Sequence, residues 1–240
     1  MGFTAEGLVS YCKNALELKT RYAWGGIFRI ATVPYIAQLS SMYPGKYTRV
    51  RLSLLANEVA QAYLCDCAGL IKSYYWGGVG SPNYNANTDY NTNGFYSAAA
   101  DKGPISTLPE TPGVVLYMDG HVGVYIGNGS AIECTLGAYG DGVVKTSVSG
   151  RGWTHWLKIP MIEYPEEKTG GCNKNCPYCE QGWYPYTVKA GDSYWSIAAQ
   201  EMGNGTKYVP LLEFNDMTVS DVIHPGDIIK IPLGGEWVGI

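Results

Sequence analysis

The 240-residue sequence has little charge and no basic stripe. Only 16% of its residues are charged, and the formal net charge is −4. Proteins that bind nucleic acid or lie on a membrane surface usually concentrate lysine and arginine on one face, and this sequence does not. It also lacks an apolar run of about 18 residues, the length that spans a bilayer. We therefore expect neither a nucleic-acid partner nor a membrane partner.

The start of the chain lacks a secretion signal. The segment "MGFTAEGLVSYCKNALELK" has no basic region followed by an apolar core. Its apolar residues recur at helical spacing behind Thr4, which predicts an amphipathic helix with Thr4 as its cap. The chain has seven cysteines, an odd number, which argues against a scaffold built only on disulfides.

The pattern along the chain predicts two domains and a linker. Helical patterns dominate the first part, and short β-branched segments such as "HVGVYIG", "SAIECT" and "GVVKTSV" follow it, which is typical of an antiparallel sheet. An Asn-rich stretch, "PNYNANTDYNTNG", is predicted as a loop. The fold class is therefore α+β. We assign residues 1–160 to a first domain, 161–184 to a linker rich in turn formers, and 185–233 to a small second domain that reads strand, helix, helix, strand.

A candidate nucleophile lies in "LCDCAGLIK". Cys67 opens a predicted helix, and Asp66 before it is a natural helix cap. A thiol at a helix N-terminus is expected to have a lowered pKa, because unpaired N–H groups and the helix dipole stabilise the thiolate. Cys65 lies outside the helix and is predicted to be buried and inert. A zinc site is the weaker alternative, because no Cys or His partner lies at the usual spacing.

A thiol nucleophile needs a base, and the sequence offers only three histidines. His224 lies in the second domain, and His155 lies between two tryptophans, where a structural role is expected. His121 opens a predicted strand beside glycines and can face a cleft. The next strand carries Glu133, at a register that allows it to orient the His121 imidazole.

The motifs "YAWGG", "DCAGLIK" and "GHVGVYIGNGSAIE", in this order, resemble the NlpC/P60 family of papain-like cysteine peptidases. The resemblance covers roughly residues 1–160. It implies an α+β fold with the nucleophile on a helix packed against an antiparallel sheet, and cleavage of peptidoglycan stem peptides, often at γ-D-glutamyl bonds. By this resemblance Cys67 is the nucleophile, His121 the base and Glu133 the orienting residue. Tyr22 and Asp66 match residues that contact substrate, and the Cys67 N–H matches part of an oxyanion hole.

The sequence departs from the family pattern in three places. Ala68 replaces the usual serine of the nucleophile motif, and Val114 replaces the usual aspartate before the histidine strand. A largely helical insert separates Gly26 from Asp66 and is expected to shape the cleft. These differences bear on which bond is cut more than on the chemistry.

The second domain resembles a LysM module over nearly its whole length, in "YTVKAGDSYWSIA", "NDM" and "IHPGDIIKIP". The resemblance implies a βααβ fold that binds glycans containing N-acetylglucosamine. Two loops would form the groove. Their predicted glycan-binding residues are Gly191, Asp192, Ser193, Tyr194, Asn215, Asp216 and Ile223.

Three linker cysteines form the pattern "CNKNCPYC", which consists of Cys172, Cys176 and Cys179. The spacing matches that of radical-SAM iron–sulfur enzymes, but those motifs belong to a large β/α barrel that this chain does not resemble. A weak metal site that borrows a fourth ligand, free thiols, or one disulfide with a leftover thiol all remain open. No cofactor is expected.

Together these features predict a peptidoglycan hydrolase of the cysteine peptidase type, held on the wall by its LysM module. The alternatives are an N-acetylmuramoyl-L-alanine amidase and a catalytically inactive wall-binding protein. Without an export signal, the protein is expected to be a phage or prophage lysin that waits in the host cytoplasm. A secreted autolysin whose signal was removed is the other expectation.

Overall fold

A computed structural model describes residues 2–165 and 182–232 of the chain. The chain divides into two compact units, Met1–Tyr164 and Pro165–Ile240. Within the described residues, no helix is long and apolar enough to cross a membrane.

The first half of the first unit is mainly helical. Thr4 caps the first helix as predicted, since its Oγ1 accepts a hydrogen bond from the Gly7 N–H at 3.1 Å. The predicted Asn-rich loop ends early, because Asn91 caps a further helix through the Gly94 N–H at 2.7 Å. The helices are α1 (Ala5–Leu16), α2 (Val33–Met42), α3 (Arg49–Ala56), α4 (Cys67–Tyr75) and α5 (Thr92–Ala98).

Three short strands, which lie between these helices in the chain, form a small sheet. They are β1 (Thr20–Tyr22), β2 (Ile27–Ile30) and β3 (Tyr63–Cys65), in the order β1-β3-β2. Strand β1 pairs with β3 in parallel, and β2 pairs with β3 antiparallel. This sheet holds the "YAWGG" turn against the residues that lead into α4, so it brings two distant motifs together.

The second half of the first unit is an antiparallel sheet, as the short β-branched segments separated by turn residues predict. Its six strands lie in the order β4-β9-β5-β6-β7-β8. The edge strand β4 was not expected from the sequence. The strands are β4 (Asp101–Pro104), β5 (Val115–Met118), β6 (His121–Gly127), β7 (Ser130–Gly137), β8 (Gly140–Ser147) and β9 (His155–Lys158).

Helix α4 lies in the core between the two sheets and packs against β2, β6 and β7. Leu70, Ile71 and Ser73 are fully buried, and even Lys72 of this helix is largely buried. Helix α4 approaches the backbone of Gly26 so closely that position 69 must be glycine. A Cβ at this position would lie 1.9 Å from the backbone oxygen of Gly26. The helix with the candidate nucleophile is thus fixed against the sheet with the candidate base, and the predicted α+β class is confirmed.

The first unit continues past Pro160. Ile162 is buried, and the Ala5 N–H donates to the Glu163 carbonyl at 2.9 Å, which ties this segment to the start of α1. The Tyr164 hydroxyl also accepts a hydrogen bond from the Ile159 N–H at 3.1 Å.

The second unit has the predicted order of strand, helix, helix and strand. Its elements are β10 (Trp183–Thr187), α6 (Tyr194–Glu201), α7 (Tyr208–Phe214) and β11 (Ile228–Pro232). Strands β10 and β11 pair antiparallel. The two helices cover this ribbon with a small core of apolar side chains, which consists of Tyr186, Val188, Ile197, Ala198, Leu211, Ile229 and Ile231.

Candidate active site

Cys67 is the first residue of α4, and Asp66 is its N-cap. One carboxylate oxygen of Asp66 accepts the Gly69 N–H at 2.6 Å, and the other accepts the Gly25 N–H at 2.7 Å. Asp66 therefore fixes both the start of α4 and the "YAWGG" turn. Its predicted contact with a substrate amino group stays a prediction.

The Cys67 thiol is almost fully buried, with 5% of the residue exposed. Burial and the neighbouring Asp66 carboxylate raise the pKa of the thiol to about 12. The expectation of a lowered pKa is therefore wrong for the free protein. The N–H groups of Val122, Ala68 and Cys67 itself do donate toward the sulfur and lower its pKa, as a helix start should. Desolvation outweighs them, so the resting thiol is protonated at neutral pH.

The contact with Val122 brings the thiol beside the start of β6, where His121 precedes Val122. The His121 Nε2 lies 2.5 Å from Glu133 Oε2. Because Glu133 is ionised, Nε2 carries the hydrogen of this bond, which leaves Nδ1 as the ring nitrogen that can accept a proton. The structure thus pairs His121 with Glu133 and places Val122, the residue after His121, at the Cys67 thiol, while the catalytic roles of the three residues stay predictions.

Glu133 is completely buried but has several charged and polar partners. Burial alone would raise the pKa of its carboxyl group. Hydrogen bonds from His121, Arg151 and Thr146 outweigh burial and lower the pKa to about 2. Arg151 donates from Nε to Oε1 and from Nη2 to Oε2, both at 2.8 Å, and Thr146 Oγ1 donates to Oε1 at 2.7 Å. Glu133 is therefore a carboxylate with a fixed orientation at all physiological pH values.

Trp153 and Gly123 complete the surroundings of His121. The Trp153 ring stacks on the imidazole, with 5.5 Å between centroids and an angle of 17° between planes. A Cβ at position 123 would lie 3.0 Å from the Trp153 ring and 3.3 Å from the Glu133 Cβ. The missing side chain at Gly123 therefore leaves room for Glu133 and Trp153 to meet the same face of β6 as His121.

A cleft of about 310 Å³ opens beside this group. Tyr22 and His121 form part of its wall, and Cys67 is not among the residues that line it. Burial and the nearby Cys67 thiol both raise the pKa of the Tyr22 hydroxyl, which is consistent with the predicted place of Tyr22 next to the nucleophile. The residues lining the cleft are Tyr22, Ala23, Trp24, Lys46, Tyr47, Arg51, His121, Thr135 and Leu136.

The other candidate residues lie away from this group. His155 bonds Thr154 Oγ1 at 3.0 Å and packs edge-on against Tyr96, which fits the structural role expected of it. His224 belongs to the second unit, with its side chain 74% exposed. Cys65 is fully buried, and its Sγ lies 3.1 Å from that of Cys134.

Cys172, Cys176 and Cys179, the proposed weak metal site, lie outside the described residues. Their role therefore remains a prediction.

The predicted glycan-binding loops of the second unit lie next to each other. The Tyr194 hydroxyl of one loop contacts Met217 Sδ near the other at 3.3 Å. Asp192 accepts hydrogen bonds from the Tyr186 hydroxyl and the Lys189 N–H, both at 2.8 Å.

Several of these loop residues also have structural roles. Ser193 caps α6 in a reciprocal box with Ser196. Asn215 bonds the Lys230 backbone of β11, Gly191 and Asp216 have positive φ, and Ile223 packs against the core. Their glycan contacts stay predictions.

Sequence reasoning missed Arg151, Thr146, Trp153, Lys46 and Arg51. Thr146 and Trp153 do not belong to any recognised sequence motif. Arg151 lies in the glycine-rich segment "SGRGWTHW" between β8 and β9, and Lys46 lies in the "YPGKY" break of the insert. An isolated cation in a turn is usually solvated, so only the folded chain reveals that these two face the site.

Comparison with protein families identifies the second unit. Residues 186–232 match the LysM domain model. The match spans all but the first residues of β10 and ends with β11, so the predicted βααβ LysM domain is confirmed. No curated protein sequence matches the chain.

Three solved structures are similar to part of this chain. RipB, a peptidoglycan hydrolase from Mycobacterium tuberculosis, is 21% identical over 67% of this chain and 67% of that chain, with a TM-score of 0.38. The P60 domain of an antigen from M. avium subspecies paratuberculosis is 20% identical over 65% and 97%, with a TM-score of 0.39. The NlpC/P60 domain of the peptidoglycan hydrolase SagA is 15% identical over 65% and 99%, with a TM-score of 0.37.

Proposed function

We propose that the protein is a peptidoglycan hydrolase in which Cys67 attacks an amide bond of the stem peptide and the LysM domain holds the wall glycan. The observation that carries the proposal is that the Cys67 thiol contacts the backbone of Val122, next to the hydrogen-bonded pair of His121 and Glu133. Cys67 adjoins the first residues of β6, and His121 is oriented there by an ionised Glu133. Acyl transfer by a thiol requires such a nucleophile, a base and a group that orients the base.

The proposed reaction begins with a neutral thiol. As the Cys67 sulfur attacks the carbonyl carbon, the proton of the thiol passes to Nδ1 of His121, and Glu133 stabilises the imidazolium that forms. The tetrahedral oxyanion lies near the N-terminus of α4, where the Cys67 N–H donates. The imidazolium returns the proton to the amine as the C–N bond breaks. Water then hydrolyses the thioester, with His121 again taking a proton.

The LysM domain would act by tethering. A weak grip on glycan raises the local concentration of the first unit at the wall, so the full-length protein acts faster on intact walls than the first unit alone, without any new catalytic contact. The proposed bond is a γ-D-glutamyl bond within the stem peptide. An N-acetylmuramoyl-L-alanine amidase uses the same thiol chemistry on a different amide and is the second candidate.

Mass spectrometry of peptidoglycan digested by the full-length protein separates these possibilities. The proposal expects new termini within the stem peptide. A new alanine amino terminus with intact stem peptides would establish the amidase instead. If the peptidoglycan binds the protein but shows no new termini, the protein is a wall-binding protein without hydrolase activity, and the proposal is overturned.

A further inference from the structure

The insert between "YAWGG" and "DCAG" supplies one wall of the cleft beside His121. Lys46, Tyr47 and Arg51 all line this cleft, and all belong to the insert. The insert is held in place from within. Tyr47 is buried, and its hydroxyl donates to the Trp24 carbonyl at 2.7 Å, so the turn that carries Lys46 is fixed to the "YAWGG" segment. The position of Lys46 on the cleft is therefore set by the fold.

The two cations of this cleft have different surroundings. Arg51 is largely buried and donates to both carboxylate oxygens of Asp141, at 2.8 and 2.7 Å. Its charge is thus already compensated. Lys46 makes no ion pair with a described residue, and its Nζ lies 4.0 Å from the centre of the Trp24 ring. The aromatic face positions the ammonium group but leaves its charge unneutralised.

The lining of the cleft also lacks an acidic side chain. The net charge that the lining presents to a bound molecule is therefore positive, and the uncompensated part of it is concentrated at Lys46. A cleft with walls of one sign of charge favours ligands of the opposite sign. His121 lies on the same cleft, so an anionic group held by Lys46 would lie close to the bond under attack.

We propose that Lys46 is a specificity-determining residue that binds a carboxylate of the stem peptide next to the scissile bond. This inference rests on the proposed hydrolase function and adds to it the charge of the preferred substrate. A stem peptide with a free α-carboxyl on its γ-linked D-glutamate fits the cleft, and the same peptide with this group amidated loses the ion pair. The protein then prefers walls whose glutamate is not amidated.

Two synthetic peptides test the inference with the full-length protein. One is L-alanyl-γ-D-glutamyl-L-lysyl-D-alanine, and the other has the glutamyl α-carboxyl group as an amide. We expect kcat/KM for the carboxylate peptide to exceed that for the amide by about fivefold, the upper end for an exposed ion pair, mainly through KM. This ratio should fall as salt is added, because salt screens the pair.

Substitutions assign the preference to Lys46. In Lys46→Gln the ratio should fall to about one, and Lys46→Arg should restore most of it because the charge returns. Lys13→Gln is the matched control, since it removes the same charge from α1, which does not line the cleft. This control should keep the wild-type ratio.

Each contrary result has a distinct meaning. Equal cleavage of both peptides by the wild type overturns the inference and leaves the hydrolase function intact. A carboxylate preference that persists in Lys46→Gln also overturns it, because another group must then bind the carboxylate. Failure to cleave either peptide, while peptidoglycan also yields no new termini, overturns the proposed function and the inference with it.

Discussion

Glu133→Gln tests whether the buried carboxylate both stabilises the fold and orients the base. The ionised form is favoured in the fold because His121, Arg151 and Thr146 all donate to it. The pKa falls from the ordinary 4.5 to about 2. At about 1.4 kcal/mol for each pH unit, the carboxylate contributes about 3 kcal/mol to stability. Glutamine keeps the shape of the side chain but leaves the Arg151 charge without its partner.

The sign of the pH effect follows from the lowered pKa. A carboxyl group whose pKa is lower in the folded state contributes its full stability above pH 4.5 and loses it as the pH falls from about 4.5 to 2. The free energy of unfolding from urea titrations should therefore decrease by about 3 kcal/mol more in the wild type than in Glu133→Gln across this window. Glu17→Gln, at the exposed end of α1, serves as the control and should follow the wild type.

The effect of the same substitution on activity should be smaller than the loss of the base. A hydrogen bond to a charged group stabilises by about 1.5–3 kcal/mol and a neutral one by about 0.5–1.5 kcal/mol, so the change at His121 is about 1–2 kcal/mol. We expect kcat/KM per folded molecule to fall by about fivefold to thirtyfold. If Glu133→Gln keeps both the wild-type kcat/KM and the wild-type acid transition, Glu133 neither orients the base nor stabilises the fold.

Three further predictions concern the thiols and the two units. The rate at which iodoacetamide alkylates Cys67 should keep rising with pH through pH 9, because burial raises the pKa of the thiol to about 12. A plateau of this rate between pH 5 and 8 would contradict the raised pKa. Cys65→Ser should lower the melting temperature, since it places a hydroxyl in a fully buried position, yet keep most of the activity per folded molecule; a folded but inactive variant would make Cys65 the nucleophile. A chain that ends at Tyr164 should fold and cleave soluble muropeptides. On intact walls at low enzyme concentration it should act more slowly than the full chain, and equal rates would argue against tethering.

The strands and the LysM domain were predictable because their signals are local. Strand β6 coincides with the predicted segment "HVGVYIG", and the second unit has the predicted order of strand, helix, helix and strand. The proximity of His121 and Glu133 was also predictable, because consecutive antiparallel strands place such residues within reach across the ladder.

Other features depend on contacts between distant parts of the chain. Strand β1 has three residues and pairs in parallel with β3, which lies at the far end of the insert, so no local pattern marks it. The pKa of the Cys67 thiol was mispredicted for the same reason. Asp66 and Cys67 mark the helix start, whose N–H groups lower the pKa of the thiol. The burial that raises this pKa more strongly comes from the sheet packed against α4. Arg151 and Lys46 lie in turns whose direction only the fold defines.

Wall lysis by Cys67→Ser tests the central claim most directly. Serine keeps the size and place of the side chain but removes the thiol, and the LysM domain is unchanged. The measurement is the fall in turbidity of purified cell walls, together with the fraction of protein that sediments with them. We predict that Cys67→Ser sediments like the wild type but does not lyse the walls, whereas Cys65→Ser does both. Lysis by Cys67→Ser at a rate near that of the wild type would contradict the account.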